Sequence, residues 1–292
     1  MRYTTDWKDY ALLDCADGER LERWGDILLI RPDPQVIWQG RNHPLWIKAH
    51  ARYQRSKSGG GAWQPLRPMP EQWQISYGDL RFHIKPMGFK HTGLFPEQAV
   101  NWEHLRCGLS LRADNLSPAK VLNLFAYTGG ATVACLAAGA HVTHVDAAKG
   151  MVDRARQNAA LSNLADKPVR WMVDDCIKFV QREIRRGNTY DVILLDPPSY
   201  GRGPSGEVWQ LGEQLQGFLQ LCTQLLTANG LLLLNSYSAE FSPGVMEYLL
   251  GQTLVPQLGG TVSCEEIGLP VESTGRVLPC GNTAIWQGGS TC

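Results

Sequence analysis

The stretch KVLNLFAYTGGATVACLAAGAHVTHVDAAKG, Lys120 to Gly150, decides the fold. It opens as a run of β-formers, breaks at Thr128-Gly129-Gly130, turns helical, and returns as a second strand that ends on one carboxylate, Asp146. Glycines at a strand-to-helix turn let the backbone approach a ligand closely and leave N–H donors exposed at the helix start. An acid about twenty residues further on stands where both hydroxyls of a ribose could be accepted.

Outward from that stretch, helix and strand alternate. The pattern predicts a helix over 96–113, strand 120–125, helix 129–139, strand 141–146, helix 148–163 and strand 169–173. It continues with helix 175–187, strand 190–195, helix 207–228, strand 230–236, helix 242–257 and strands 261–267 and 282–287. Strands separated by helices imply βαβ units and a parallel sheet, with ligands at the carboxyl ends of the strands.

The third strand delivers Asp174 and Asp175, and Asp175, directly ahead of the next helix, is the residue expected at an adenine exocyclic amine. The fourth runs YDVILLDPPSYGRG (190–203) and ends in Asp196-Pro197-Pro198. Prolines fix φ and lack N–H donors, so Asp196 and nearby carbonyls form an acceptor cluster that can hold an amino group or orient a planar base. Tyr200 could stack on such a base. A dinucleotide site would want GxGxxG, but the turn reads Tyr-Thr-Gly-Gly-Ala-Thr, and no GxxxxGK[ST] occurs. A ligand with adenosine and no phosphate fits better, and S-adenosylmethionine is such a ligand. Each piece also has a purely structural use, Gly-Gly as a tight turn and Asp146 or Asp174 as a helix cap. Four of them in order make those uses the weaker account.

Up to about Pro86 the texture differs. Short strand-like pieces, DILLIR (26–31), PQVIWQ (34–39) and WQISYGDLRFHIKP (73–86), are cut by Pro and Gly, with Trp24, Trp38, Trp46, Trp63 and Trp73 recurring. This reads as a small β-rich domain over 1–88, followed by an α/β domain over 89–292. The segment ARYQRSKSGGGAWQ (51–64) reads first as a solvated flexible loop, and alternatively as a basic arm for nucleic-acid phosphates with Trp63 beside it.

Composition sets the outer bounds. At 43% hydrophobic and 19% charged, the 292 residues suit a globule with a core. No apolar run reaches the ~18 residues of a membrane span. The opening MRYTTDWKDYALLDCADGER lacks the apolar core of a secretory signal. The eight cysteines show no CxxC pair and no zinc spacing, so no metal is expected, and buried thiols in a reducing cytoplasm are the expectation. Formal charge is zero, with 13 Lys+Arg against 10 Asp+Glu in residues 1–88 and 15 against 18 in the rest. No global field draws in RNA, though a local patch could. Oligomeric state is left open.

VLNLFAYTGGATVACLAAGA, VTHVDAAKGMVDRARQNAALSNL, VDDC and DVILLDPPSYGRG together resemble class I S-adenosylmethionine-dependent methyltransferases, most closely the group of bacterial large-subunit ribosomal RNA cytosine-5 methyltransferases. FKHTGLFPEQAVNWEHL (89–105) is similar to the loop and helix preceding the catalytic domain in that group. The resemblance covers about residues 85–240. It implies an α/β fold with a Rossmann-like seven-stranded methyltransferase sheet. Residue by residue it implies that Phe125, Tyr127 and Gly129 border the methionine part of the cofactor, that Asp146 binds ribose and Asp175 adenine, and that Asp196 faces methyl donor and acceptor. Thr92 and Gln98, in the loop 90–98, are the further cofactor contacts it suggests.

The chain departs from that group at the fifth strand tip. Cytosine carbon 5 needs a thiolate on carbon 6 to become nucleophilic, and the resembling sequences keep it as Ser-Cys-Ser. Here the place reads Ser236-Tyr237-Ser238. Cys222 falls mid-helix among apolar residues and Cys176 lies beside the adenine acid. Direct in-line transfer to nitrogen or oxygen is therefore expected, with Asp196 orienting the acceptor and Tyr200 or Tyr237 shaping its pocket. The leading expectation is an RNA methyltransferase that holds RNA through residues 1–88 and the basic loop 51–63. Alternatives are a methyltransferase for a small molecule or protein side chain, and an inactive cofactor-binding module.

Overall fold

A computed structural model describes residues 1–56, 60–88, 90–111 and 117–289. The chain forms two compact units. One comprises Met1–Arg2, Val100–Ile267 and Cys280–Cys292; the other comprises Tyr3–Ala99 and Gly268–Pro279.

In the second of these, β1 (Tyr10–Ala16), β2 (Glu19–Trp24), β3 (Ile27–Pro32), β4 (Ala51–Arg55) and β5 (Gly61–Pro65) make one sheet in that order, and β6 (Trp73–Tyr77) pairs with β7 (Leu80–Ile84). Asp17 and Gly18 both adopt positive φ, the two-residue turn whose twist suits the β1–β2 hairpin. Ala11, Leu13, Leu21, Leu28, Ile30 and Trp46 pack as one core cluster.

The expected boundary at residue 88 falls inside this unit. Lys85 N–H donates to Thr92 carbonyl (3.0 Å), Arg31 to Lys90 carbonyl (3.3 Å) and the Trp7 indole to Pro96 carbonyl (3.0 Å), so the segment stays with this unit to Ala99. Gly268–Pro279 joins the same unit: Glu272 and Ser273 N–H groups donate to the carbonyls of Leu12 and Leu13 (2.9 and 3.0 Å). The Ser273 hydroxyl donates to Asp14, which also accepts from the Asn42 and His43 amides and the Trp46 indole.

Two expectations in this region are corrected. PQVIWQ is no strand, because Asp33 Oδ1 accepts the Gln35 N–H (3.1 Å) and folds the chain into a turn at Pro34. The basic segment from residue 51 is a hairpin, β4 antiparallel to β5, with Tyr53 opposite Trp63; only residues 57–59 lie outside the described residues. The strands persist because Arg52 is held by Glu19 (2.7 Å) and the Trp63 indole by Met87 carbonyl (2.9 Å).

The other unit carries α1 (Ala99–Leu111), β8 (Lys120–Leu124), α2 (Gly130–Ala137), β9 (His141–Asp146), α3 (Lys149–Leu161), β10 (Val169–Val173), α4 (Cys176–Arg185) and β11 (Tyr190–Leu195). A small hairpin, β12 (Tyr200–Arg202) and β13 (Val208–Gln210), precedes α5 (Leu211–Thr223), β14 (Leu226–Ser236) and α6 (Pro243–Leu258). β15 (Thr261–Pro270) and β16 (Val277–Gln287) are the last strands among the described residues. The seven-stranded sheet runs β10-β9-β8-β11-β14-β16-β15, with the first five parallel and β16 antiparallel to β14. Strand order reverses between β8 and β11, the switch point where such sheets bind ligands. Leu122, Leu124, Ile193, Leu195, Phe218, Leu232 and Trp286 fill the core between sheet and helices.

The helix expected over 207–228 is shorter. Residues 208–210 pair with Tyr200–Arg202 instead, and the chain is already extended at Leu226, where apolar Leu-rich sequence suits a buried strand as well as a helix. Among the described residues, no helix is long and apolar enough to cross a membrane.

Candidate active site

The first loop of the sheet is strained and heavily pinned. Phe125 and Tyr127 adopt φ of +55° and +50°, and Gly129 +81°. Such conformations cost non-glycine residues about 1–3 kcal/mol each and persist only where surroundings impose them. The surroundings are explicit. Tyr127 N–H donates to Asp146 Oδ2 (2.8 Å), Ala126 N–H to Val145 carbonyl (3.0 Å), and buried Asn158 from α3 to Thr128 carbonyl (2.9 Å). Phe125 N–H meets the Cys176 sulfur at 3.4 Å. A Cβ on Gly129 would stand 2.8 Å from the Ala155 Cβ, and one on Gly130 would stand 2.7 Å from the Trp102 ring. Only glycine lets the turn pack this tightly and still open onto α2.

Asp146 closes the turn from β9. Its Oδ1 accepts the Ala148 N–H (2.9 Å) as α3 begins, so each oxygen takes one backbone donor and keeps a lone-pair direction for a ligand hydroxyl. Burial raises its carboxyl above the ordinary range, opposed by those two N–H bonds. Asp175 caps α4, Oδ1 accepting the Lys178 N–H (2.9 Å), whereas Asp174 is paired with Arg182.

Asp196, half-buried, follows β11, and the register of Leu195 with Leu124 puts it at the tip neighbouring Phe125. The Asp-Pro-Pro loop is tied to the β12–β13 hairpin through Trp209 Nε1 to Pro198 carbonyl (2.7 Å) and Leu211 N–H to Ser199 carbonyl (3.0 Å). Trp209 is invisible to sequence reasoning, since a tryptophan expected within a helix carries no signal of its loop partner. The next tip, Ser236-Tyr237-Ser238, joins the same region through Ser238 Oγ to Ser199 Oγ (3.3 Å). Tyr200 is 54% exposed and Tyr237 38% exposed. A Cβ on Gly281 would touch the Tyr237 ring at 2.9 Å, so that ring lies on β16.

Phe125, Tyr127, Gly129, Asp146, Asp175 and Asp196 thus sit at adjacent strand tips. Thr92 and Gln98 belong to the other unit, where both are buried, and the Thr92 hydroxyl has no hydrogen-bond partner among the described residues. Burial pushes the thiols up: Cys176 well above its usual range and Cys135 to about 12. Cys280, also buried, stands two residues before Asn282, the register partner of Ser236, and only the pairing of β16 with β14 brings it near that tip. No cluster of three metal-ligating side chains occurs among the described residues.

Comparison with known proteins bears on the fold and the family. A solved S-adenosylmethionine-dependent methyltransferase from Agrobacterium tumefaciens superposes with a TM-score of 0.90 at 37% identity, covering 97% of this chain and 92% of that one. The ribosomal RNA large subunit methyltransferase I of Aeromonas hydrophila subsp. hydrophila is 36% identical over 140 residues, 47% of this chain and 33% of the relative. The K/L enzyme of Syntrophotalea carbinolica is 29% identical over 192 residues, 65% of this chain and 26% of the relative. The chain therefore spans about a quarter to a third of the length of these two curated relatives. The family model for S-adenosylmethionine-dependent methyltransferases matches residues 35–253, from within the N-terminal sheet to α6, and the chain belongs to that family.

Proposed function

We propose that this enzyme methylates RNA, ribosomal RNA first among its targets, by direct transfer without a covalent protein–base intermediate, in the cytoplasm. The observation that carries the mechanism is the acceptor end itself: the Asp196 loop meets a strand tip of hydroxyls, Ser236 and Ser238, with Ser199 and Ser238 in contact at 3.3 Å. The substrate class is supported by the relatives, which are named as ribosomal RNA methyltransferases.

The residues present fit S-adenosylmethionine. The Gly129–Gly130 turn packs too closely on Ala155 and Trp102 to carry a Cβ, which leaves its backbone bare toward a ligand, and Asp146 retains acceptor directions for two ribose hydroxyls. Phe125, Tyr127 and Gly129 would hold the methionine part and Asp175 the adenine. When bound, the cofactor supplies a methyl group already activated by its sulfonium. The protein's task is then positioning: Asp196 accepts a hydrogen bond from the acceptor's amino or hydroxyl group and aligns it, and Tyr200 and Tyr237 flank the acceptor. Cys176 and Cys222 are buried and their thiols are pushed up, conditions that disfavour a thiolate nucleophile.

RNA would be held by the N-terminal unit through the β4–β5 hairpin, where Arg55 is exposed, while Arg52 is committed to Glu19. The test is labelled methyl transfer from S-adenosylmethionine to total RNA, followed by nucleoside mass spectrometry. Asp196→Ala should bind S-adenosylhomocysteine nearly as the parent and transfer no methyl. A labelled small molecule or protein with unlabelled RNA would reassign the substrate.

A further inference from the structure

Beneath the glycine turn lies a chain of three buried polar side chains that the chemistry above does not use. Asn123 on β8, Thr132 on α2 and His144 on β9 are 4%, 0% and 0% exposed. Asn123 Nδ2 donates to Thr132 Oγ1 at 2.9 Å, and Thr132 Oγ1 lies 2.9 Å from His144 Nδ1. The Thr132 hydroxyl, with one proton and two lone pairs, thus bonds the Asn123 amide and the imidazole at once. Burial, with Arg156 adding to it, lowers His144 to about 3, so the ring is neutral. Nε2 has no hydrogen-bond partner among the described residues, and the ring lies 4.9 Å from Trp171, its register partner on β10.

An orphaned polar atom and a desolvated network are costly in a core where apolar residues would pack as well. Their placement accounts for them. Side chains two apart on a strand share a face. His144 therefore points with Asp146, and Asn123 points away from the face of its neighbours Leu122 and Leu124, toward α2. Thr132 is the third residue of α2, within the first turn of the helix that follows Gly129. A Cβ at Gly129 would meet His144 Cε1 at 3.6 Å, so the imidazole is the floor on which the turn rests.

We infer that His144, held by Thr132 and Asn123, is a positioning residue that sets the height of the Gly129–Gly130 turn relative to Asp146, and with it the affinity for the adenosyl part of the cofactor. This rests on the cofactor reading of that turn. His144 touches no reacting atom. It acts by fixing one β8 side chain, the α2 start and the β9 tip as one rigid piece.

The test is calorimetric titration of the full chain with S-adenosylhomocysteine. Thr132→Val keeps the volume and removes the hydroxyl, and should weaken binding about tenfold. Thr132→Ser restores the hydroxyl and should bind within about threefold of the parent. Leu254→Ala, a core change in α6, should keep the parent's affinity even where it melts as early as Thr132→Val. Asp146→Ala separates the two readings: if it binds like the parent, the cofactor site itself is wrongly placed. If Asp146→Ala binds weakly but Thr132→Val binds like the parent, the inference about His144 is overturned. It is overturned too if the Val and Ser variants lose equally, or if Leu254→Ala loses as much as Thr132→Val. Should Thr132→Val fail to fold, nitrogen-15 spectra of the parent's histidines decide: His144 signals that move on adding S-adenosylhomocysteine support it. Signals that do not move overturn it.

Discussion

Trp209 and Phe125 lie with ring centroids 5.0 Å apart, while the Trp209 indole nitrogen holds the carbonyl of Pro198 at 2.7 Å. One side chain thereby touches the start of the strained turn and the Asp-Pro-Pro loop, and Phe218 backs both rings at 5.8 and 5.6 Å. Trp209→Phe keeps an aromatic ring and removes the donor, leaving a loop carbonyl unsatisfied at about 1–3 kcal/mol. Methyl transfer at saturating cofactor should fall about tenfold with S-adenosylhomocysteine affinity within about twofold. Equal losses in both, or none, would detach the loop from the ring.

Asp146 accepts two backbone donors that start the turn and α3. Asp146→Ala should weaken S-adenosylhomocysteine by roughly 10- to 100-fold, the worth of hydrogen bonds to a charged group at about 1.5–3 kcal/mol. Burial raises this carboxyl, so it loses its charge at a higher pH than an exposed aspartate. Affinity should fall on acidification before ordinary aspartates titrate, and Asp146→Asn should flatten that part of the profile. For stability the sign is opposite: a raised carboxyl favours folding at low pH, and its contribution fades as pH climbs through the raised value.

Cysteine chemistry gives a third check. Cys176→Ser, Cys222→Ser and Cys280→Ser should each retain most methyl transfer, read as label in RNA. Loss of transfer in Cys280→Ser with intact cofactor binding, or a protein–RNA adduct that survives denaturation, would restore a covalent route.

In the N-terminal unit, Glu22 is fully buried and accepts from Arg31 Nη2 (2.6 Å) and the Tyr10 hydroxyl (2.8 Å). Burial alone would raise its carboxyl, but Arg31 and Arg20 hold it at about 2. A depressed carboxyl stabilises above the unfolded value near about 4.3 and loses that contribution as pH falls toward about 2. Arg31→Met should cost about 3–5 kcal/mol by stranding that charge. Thermal melts at pH 7 and pH 3 should differ less for Glu22→Gln than for the parent.

The α/β half was legible because strict alternation of strands and helices leaves few topologies, and strands 141–146, 169–173 and 190–195 fall where expected. Glycines at a helix start and acids at strand tips are local signals, so Gly129, Asp146 and Asp175 could be picked out one segment at a time. Trp209, Asn158 and His144 could not, because each works through a partner more than ten residues away, and nothing in its own neighbourhood announces that partner. The N-terminal sheet was legible only in part. Its hairpin strand β4 carries Arg52 and Arg55, whose charge suggests solvent; the salt bridge from Arg52 to Glu19, across the sheet, is what permits a strand there. Residue 88 misleads as a boundary because a change in sequence texture marks where secondary structure changes, whereas hydrogen bonds from Arg31 and Trp7 keep the following segment attached.

Gly268–Pro279 completes the unit that Tyr3–Ala99 begins, and the two pieces are separated by the whole parallel sheet. On the ribosome, the first piece must wait through about 170 further residues for its missing partner, and synthesis at roughly 5–20 residues per second makes that a delay of many seconds. During that interval Asp14 lacks the serine that will cap it, and the edge at Leu12 and Leu13 stands open. A fragment ending near residue 99 should therefore be a chaperone client rather than a tractable domain, and slowing translation upstream of residue 268 should lower the yield of native protein.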